Sequence, residues 1–312
     1  MQPPKPKCNL IIDSCCDLPF SVVNREGVTI LEYPYAGNDG QHKDDMYHSI
    51  TPHDFYQSMR DGDCPSTMQV TMEDCRRAFV QAAQEGVPTV FLSFSSGLSG
   101  SYDLSCVVLD QVRQEYPDAE IYAVDTKLAS IAEGLLVYEA LRQRDNGLTA
   151  KELAEWAQEA RNFVNEIFMV EDLTTLHRGG RIPASVAFAG GKLDVKPLLN
   201  ISSDGKLSLI GVARGRKKGL KQMVEYYQKR ASSPSPEQCV VIGDADCPKD
   251  VERLVDLLRK AEGDRLFLES SIGPVIGSHV GPGMIAVVFW GADKREDLSV
   301  ADRIARKIRS ER

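Results

Sequence analysis

The chain has 312 residues, 42% of them hydrophobic and 26% charged, with a formal net charge of −8. That is enough for one large or two ordinary domains with a real core, and the acidic balance disfavours wholesale binding to nucleic acid or to an anionic membrane. No apolar run approaches the length of a membrane span, so no stable membrane insertion is expected. Eight cysteines without CxxC spacing and five scattered histidines form no zinc pattern, so neither a metal nor a disulfide framework is expected and a cytoplasmic location is the plain reading.

The opening MQPPKPKCNL lacks a signal-peptide apolar region and reads as a ragged end before the first strand. CNLIID predicts a strand ending at Asp13-Ser14, and GVTILEYPY predicts another. A helix starts at Thr71, with Asp74 as capping acid and Cys75, Ala78, Phe79 and Ala82 on one face, and Gly86 closes it. VPTVFLSF then reads as a buried strand, SGSYDLSCVVLDQVRQEY as a helix, AEIYAVDT as a strand and SIAEGLLVYEALRQRDNG as a helix. The alternation predicts a mostly parallel sheet with helices on both faces. Sites in such sheets lie beyond the carboxyl ends of the strands, so Asp13-Ser14, Ser93 to Ser96 and Asp125-Thr126 are expected to converge. Asp13 and Asp125 are also suited to capping neighbouring helices.

TAKELAEWAQEARNFV predicts a helix with Thr149 and Glu152 as a capping box. After it the texture changes. IFMVED, VKPLLNIS, KLSLIGVAR, QCVVIGD, RLFLESS and MIAVVFW read as strands with few intervening helices, and Asp204-Gly205 marks a hairpin turn. The fold class is therefore α/β: an amino-terminal domain over 1–162 with a mostly parallel sheet, and an α+β domain over 163–312. SSPSPE (232–237) reads as a surface loop. LSVADRIARKIRSER reads as a terminal helix with a thin apolar stripe at Leu298, Ala301, Ile304 and Ile308.

SSGLSGS, from Ser95 to Ser101, places hydroxyls and glycines at a strand-to-helix junction. A carboxylate or phosphate accepts hydrogen bonds only, so hydroxyls and the free N–H groups of a first helical turn suit it. The same composition also makes an ordinary turn with capping serines. A nucleotide P-loop is a weak reading, because no lysine follows the glycine. A nucleophile elbow is weak, because the glycine of GxSxG stands one position early. Ser99, Asp125 and His279 nevertheless fall in hydrolase order, which keeps a serine-dependent lipid or ester hydrolase as the alternative. The third reading is a carboxylate site without chemistry.

IIDSCCDLP, PSTMQVT, SSGLSGSY, AVDTKLASIAEGLLVYEA, LTTLHRGGRI, LDVKPLLNISSDGKL, ARGRKKGL and IGPVIGSHVGPGMIAVVFW occur in the order that the DegV family carries them. The resemblance spans roughly residues 8 to 290. It implies a bacterial two-domain protein that encloses a long-chain fatty acid between its domains, without catalysis or cofactor of its own. In the characterised branch such a protein is the lipid-presenting subunit of fatty acid kinase, and a separate ATP-binding subunit phosphorylates the bound carboxyl group. The resemblance places the carboxylate against Thr67, a serine among Ser95, Ser96 and Ser99, and His279. It puts Arg181 at the domain junction and makes Arg214, Arg216, Lys217 and Lys218 a loop that meets the kinase.

Three departures stand out. Met68 and Val70 replace the serine and proline of the family's TSQPS segment, Ser101 replaces a threonine, and the chain runs past the usual family end. The acyl chain is expected mainly in the second domain, where Phe168, Val186, Phe188 and Leu193 are candidate wall residues. The carboxylate is expected to be held by uncharged donors, since a tight arginine clamp would make it a poorer nucleophile.

Overall fold

The computed structural model describes residues 6–187, 195–232, 238–263 and 265–297. Phe188, Leu193, the Val186 side chain, residues 233–237 and the terminal apolar stripe fall outside that description. β1 (Asn9–Asp13) is followed by a short helix α1 (Phe20–Val23) and by β2 (Val28–Leu31). GVTILEYPY is not one strand. The chain leaves the β2 ladder after Leu31 and resumes as β3 (Pro34–Gly37) in another sheet. Tyr33 makes the break: its N–H donates to Ser14 Oγ and its hydroxyl to Asp13 Oδ2.

β4 (Gly40–Lys43), α2 (Pro52–Arg60) and β5 (Ser66–Thr67) come next, and β4-β3-β5 form a small antiparallel sheet. In α3 (Met72–Glu85), Thr71 Oγ1 accepts the Asp74 N–H at 3.0 Å, and Gly86 closes the helix at φ +65°. β6 (Thr89–Ser93), α4 (Ser101–Glu115), β7 (Ile121–Asp125), α5 (Ile131–Asp145) and α6 (Ala150–Ala160) follow, and the Thr149–Glu152 capping box is formed. The sheet order is β2-β1-β6-β7, all parallel. Its faces follow the period of two. Ile11 and Phe91 join the α3 and α4 residues Phe79, Val108 and Leu109 in one core, while Leu10, Ile12, Val90 and Leu92 join Val137, Leu141 and Leu153 of α5 and α6 in another.

The second half comprises β8 (Val164–Met169), α7 (Thr174–Arg178), α8 (Ala184–Ala187), β9 (Val195–Ile201), β10 (Leu207–Arg214), α9 (Arg216–Arg230), β11 (Val240–Asp244), α10 (Pro248–Glu262), β12 (Phe267–Ser271), α11 (Pro274–Val280) and β13 (Ile285–Trp290). The expectation of few helices is corrected. Leu220, Met223, Val224 and Tyr227 of α9, and Val251, Leu254, Val255 and Leu258 of α10, carry helical spacing and cover one face of a six-stranded mixed sheet ordered β10-β9-β8-β13-β11-β12. The other face, with Phe168, Leu199, Val241, Ala286 and Val288, turns toward the first half and shares a continuous core with it.

α5 sits between the sheets. Its buried residues, among them Ile131, Leu135, Leu136, Val137 and Leu141, surround the axis rather than striping it, as a helix with protein on all sides requires. Gly134 permits the approach, since a Cβ there would stand 2.4 Å from the Cys16 carbonyl oxygen. All eight cysteines are free thiols. No helix of the described residues is long and apolar enough to cross a membrane.

Candidate functional site

The carboxyl ends of the parallel strands do converge. Asp13, at the end of β1, accepts the Phe94 N–H at 2.5 Å across the point where strand order reverses from β1-β2 to β1-β6. Ser96 donates to Asp125 from both its N–H and its hydroxyl, and Thr126 N–H donates to the Ser93 carbonyl. Neither aspartate side chain caps a helix: Asp13 precedes a single 3-10 turn over Ser14–Cys16 without a capping bond to it. Asp13 Oδ2 binds Phe94 and Tyr33, and Asp125 organises the loop, accepting also the Lys127 N–H at 3.1 Å and pairing with Lys127 Nζ at 2.7 Å.

Below this junction, between the mixed sheet and the start of α5, lies a cavity with about 960 Å³ of atom-free space including its mouth. Among the described residues its walls are mainly apolar and come in near-equal share from both halves. Phe94, Leu98, Ala129 and Ile131 face Phe168, Leu176, Ile276, Val280, Met284, Ala286 and Val288. Of the four aliphatic and aromatic candidates named from the sequence, Phe168 is in the wall.

Polar groups gather where Thr67, Ser99, Arg181 and His279 line the cavity. Thr67 is placed by the pairing of β5 with β3, opposite Tyr35. His279 projects from α11, and its Nε2 lies 2.8 Å from Thr67 Oγ1. Gly179 makes room for the imidazole, because a Cβ there would fall 2.2 Å from Nδ1. Burial, then the nearby Arg181 and Arg178 charges, push the His279 pKa down to about 4, so the ring is neutral at ordinary pH. Its Nδ1 is buried and has no hydrogen-bond partner among the described residues. Ser99 Oγ lies 2.9 Å from Ser101 Oγ, which in turn accepts the Val70 N–H.

The three serines separate. Ser99 faces the cavity; Ser95 and Ser96 do not. Ser95 Oγ donates to the Gly205 carbonyl at 2.8 Å, tying the loop to the β9–β10 turn. Ser96 Oγ belongs to Asp125 and Lys127, whose Nζ donates to it at 2.5 Å.

Arg181 enters the wall itself, so the donors there are not all uncharged. Its Nε donates to the Leu98 carbonyl at 3.2 Å and Nη1 to the Gly179 carbonyl, and among the described residues it meets no carboxylate. The hydrolase arrangement is not assembled: Ser99 bonds Ser101, His279 bonds Thr67, and Asp125 bonds Ser96 and Lys127.

The basic run divides as well. Arg214, Lys217 and Lys218 are exposed and stand outside the cavity wall. Arg216 is part of the fold: it pairs with Asp250 at 2.5 Å and Glu171 at 3.1 Å, and donates to the Gly283 carbonyl at 2.7 Å. Tyr33, Gln69 and Glu166 line the cavity without having been singled out from sequence. Glu166 had a signal: in NEIFM it falls two residues from Phe168, on the same strand face.

The sequence profile described as an uncharacterised protein of the DegV family matches residues 7–291. A DegV domain-containing protein of Clostridium perfringens is 36% identical over 285 residues, 91% of this chain and 98% of its own length. A Thermotoga maritima protein named as a fatty acid-binding protein is 30% identical, over 89% of this chain and 96% of its own. A solved Thermus thermophilus structure, described as fatty acid binding of a DegV family protein, superposes with a TM-score of 0.79 at 27% identity, covering 92% of this chain and all of that one.

Proposed function

The chain belongs to the DegV family, and from that premise we propose that it holds a long-chain fatty acid in this cavity and presents the carboxyl group to a separate ATP-binding kinase subunit. The observation that carries the reading is the polarity of the cavity: apolar walls from both halves, with Thr67 against His279, and with Arg181 bonded to the carbonyls of Gly179 and of Leu98, the neighbour of Ser99. Each methylene buried there contributes about 0.8 kcal/mol, so the tail supplies affinity. The head group supplies orientation. With Nε2 of the neutral His279 as donor, Thr67 Oγ1 accepts and its own hydrogen points to the carboxylate. That tautomer also leaves Nδ1 as an unpaired acceptor rather than an unpaired N–H, the less costly of the two. Arg181 attracts the anion with its charge while its donors remain partly engaged by two carbonyls.

Phosphoryl transfer from ATP would join a carboxylate oxygen to the γ-phosphorus and release ADP, giving an acyl phosphate. This chain's part is to hold that oxygen in line. The hydroxyls bind one side of the carboxylate and leave the other oxygen for the nucleotide. Mass spectrometry of the organic extract of the purified protein should show a long-chain fatty acid near one per chain. Thr67→Val should weaken rebinding about tenfold, the loss of one charge-assisted hydrogen bond of ~1.5 kcal/mol. It should lower kinase-dependent acyl phosphate formation by more than it lowers occupancy. A protein that yields no lipid and rebinds none overturns the reading.

A further inference from the structure

Glu166 stands where an apolar wall is expected. Along β8, Ile167 and Met169 pack against the outer helices, while Phe168 and Glu166 face the cavity. Glu166 is buried, at 3% exposure. Oε1 accepts the Ile201 N–H at 2.5 Å. Oε2 lies 3.5 Å from Lys294 Nζ and receives no hydrogen bond from the described residues. Lys294, also buried, reaches the Ile201 carbonyl at 3.5 Å.

The strand register places this pair away from the head group. Phe168 lies opposite Ala286 and Glu166 opposite Val288. Met284, Ala286 and Val288 are successive wall positions leading from α11, which carries His279. Four strand residues at about 3.3 Å each put Glu166 roughly 13 Å beyond Met284. The cavity therefore has two polar ends. Oε2 is already shut off from solvent and receives no hydrogen bond from the described residues, and an unadorned hydrocarbon tail beside it would supply none, which is costly for a buried carboxylate. A hydroxyl on the tail would supply that donor, and a site built around a hydrogen bond discriminates strongly against a ligand lacking it.

We infer that Glu166 selects fatty acids carrying a hydroxyl remote from the carboxyl group, the hydroxyl donating to Oε2 while Lys294 holds the carboxylate in place. The inference rests on the fatty-acid reading above and names the ligand class within it. The test uses the delipidated full chain and displacement of a fluorescent fatty acid. The competitors are octadecanoic acid and hydroxyoctadecanoic acids substituted at mid-chain, toward the tail and at the terminal carbon. At least one hydroxylated isomer should bind about tenfold tighter than the parent, and Glu166→Leu/Lys294→Met, which removes both charges together, should invert that preference.

Equal or weaker binding of every hydroxylated isomer to the native chain overturns the inference whether or not the double variant folds, as does an unchanged ratio in a folded variant. Failure of all competitors, parent included, and an extract free of lipid would instead overturn the fatty-acid reading and this inference with it.

Discussion

In the first half of the molecule Asp13, Asp17, Asp44 and Glu133 are buried among neutral partners, whereas in the second half Glu166 and Asp250 each face a cation. Asp17 accepts from Ser130 Oγ at 2.5 Å and from the Gly273 N–H at 3.0 Å, and Asp44 accepts from the Met46 N–H. Both Glu133 oxygens lack a hydrogen-bond partner among the described residues. No member of this group is ion-paired there. Burial accordingly pushes all four carboxyls up, Asp13 and Asp44 to about 7, and nearby acids add to it at Asp17 (from Asp44) and at Glu133 (from Asp13, Asp17 and Asp125). Burial raises Glu166 too, but Lys294 pulls it back. The difference matters for an anion site. Cys15, Tyr33 and Ser130 line the cavity, and the acids beside them repel a bound carboxylate far less when protonated than they would as four charges.

The largest test of that contrast is pH. Asp44 keeps its proton in the fold up to about pH 7, while an unfolded aspartate ionises near ~3.9. The fold therefore binds an extra proton between those values, and the associated stability, full below the lower one, is lost as pH rises through the upper. Burial of Asp44 implies a loss of about 4 kcal/mol across that window. Asp44→Asn should flatten the profile: relative to the native chain it gains stability at pH 8 and gains none at pH 4. Urea midpoints of delipidated protein at the two pH values measure this, and parallel profiles would break the contrast.

Removing a cation from the second half should be the next largest effect, and its direction does not depend on pH between 6 and 8. Arg216→Ala leaves Asp250, at 7% exposure, with, among the described residues, only the exposed Arg253 at 3.1 Å, and frees the Gly283 carbonyl. The expected cost is about 2–3 kcal/mol, below the full range for a buried pair because Arg216 itself is partly exposed. Chemical denaturation checks it; a change under ~0.5 kcal/mol would show that the pairing is ornamental.

Local signals carried the fold far. The Thr71 and Thr149 caps, the Gly86 stop, the Gly205 turn and the parallel alternation depend on residues within one element and its neighbours, so spacing alone revealed them. The break at Tyr33 did not show, because its cause is a pair of bonds to Ser14 and Asp13, nineteen and twenty residues away. The site divided in the same way. Thr67, Ser99, Arg181 and His279 could be named from motifs, but nothing in SSGLSGS tells that Ser95 serves Gly205 and Ser96 serves Asp125. Those assignments need the hairpin turn and β7 brought alongside. The basic run misled for a related reason: four cations look alike in sequence, and only Asp250 and Glu171, from distant segments, single out Arg216.

That last division gives the smallest stability effect. Lys217 and Lys218 are exposed, and among the described residues neither makes an ion pair, so Lys217→Ala/Lys218→Ala should alter unfolding free energy by less than ~0.5 kcal/mol and leave fatty-acid affinity unchanged. If the proposed kinase meets this face, the pair's charges act across a wet interface, where each contributes about 0.2–1 kcal/mol. Kinase-dependent phosphorylation should then fall roughly two- to thirtyfold. The deficit should shrink as salt rises, because the native chain loses its attraction to screening while the variant has none to lose. Arg216→Ala, by contrast, should show a denaturation defect at every salt concentration. A double-lysine variant that phosphorylates normally at low salt would remove this face from the kinase interface and leave Arg216 with a purely structural part.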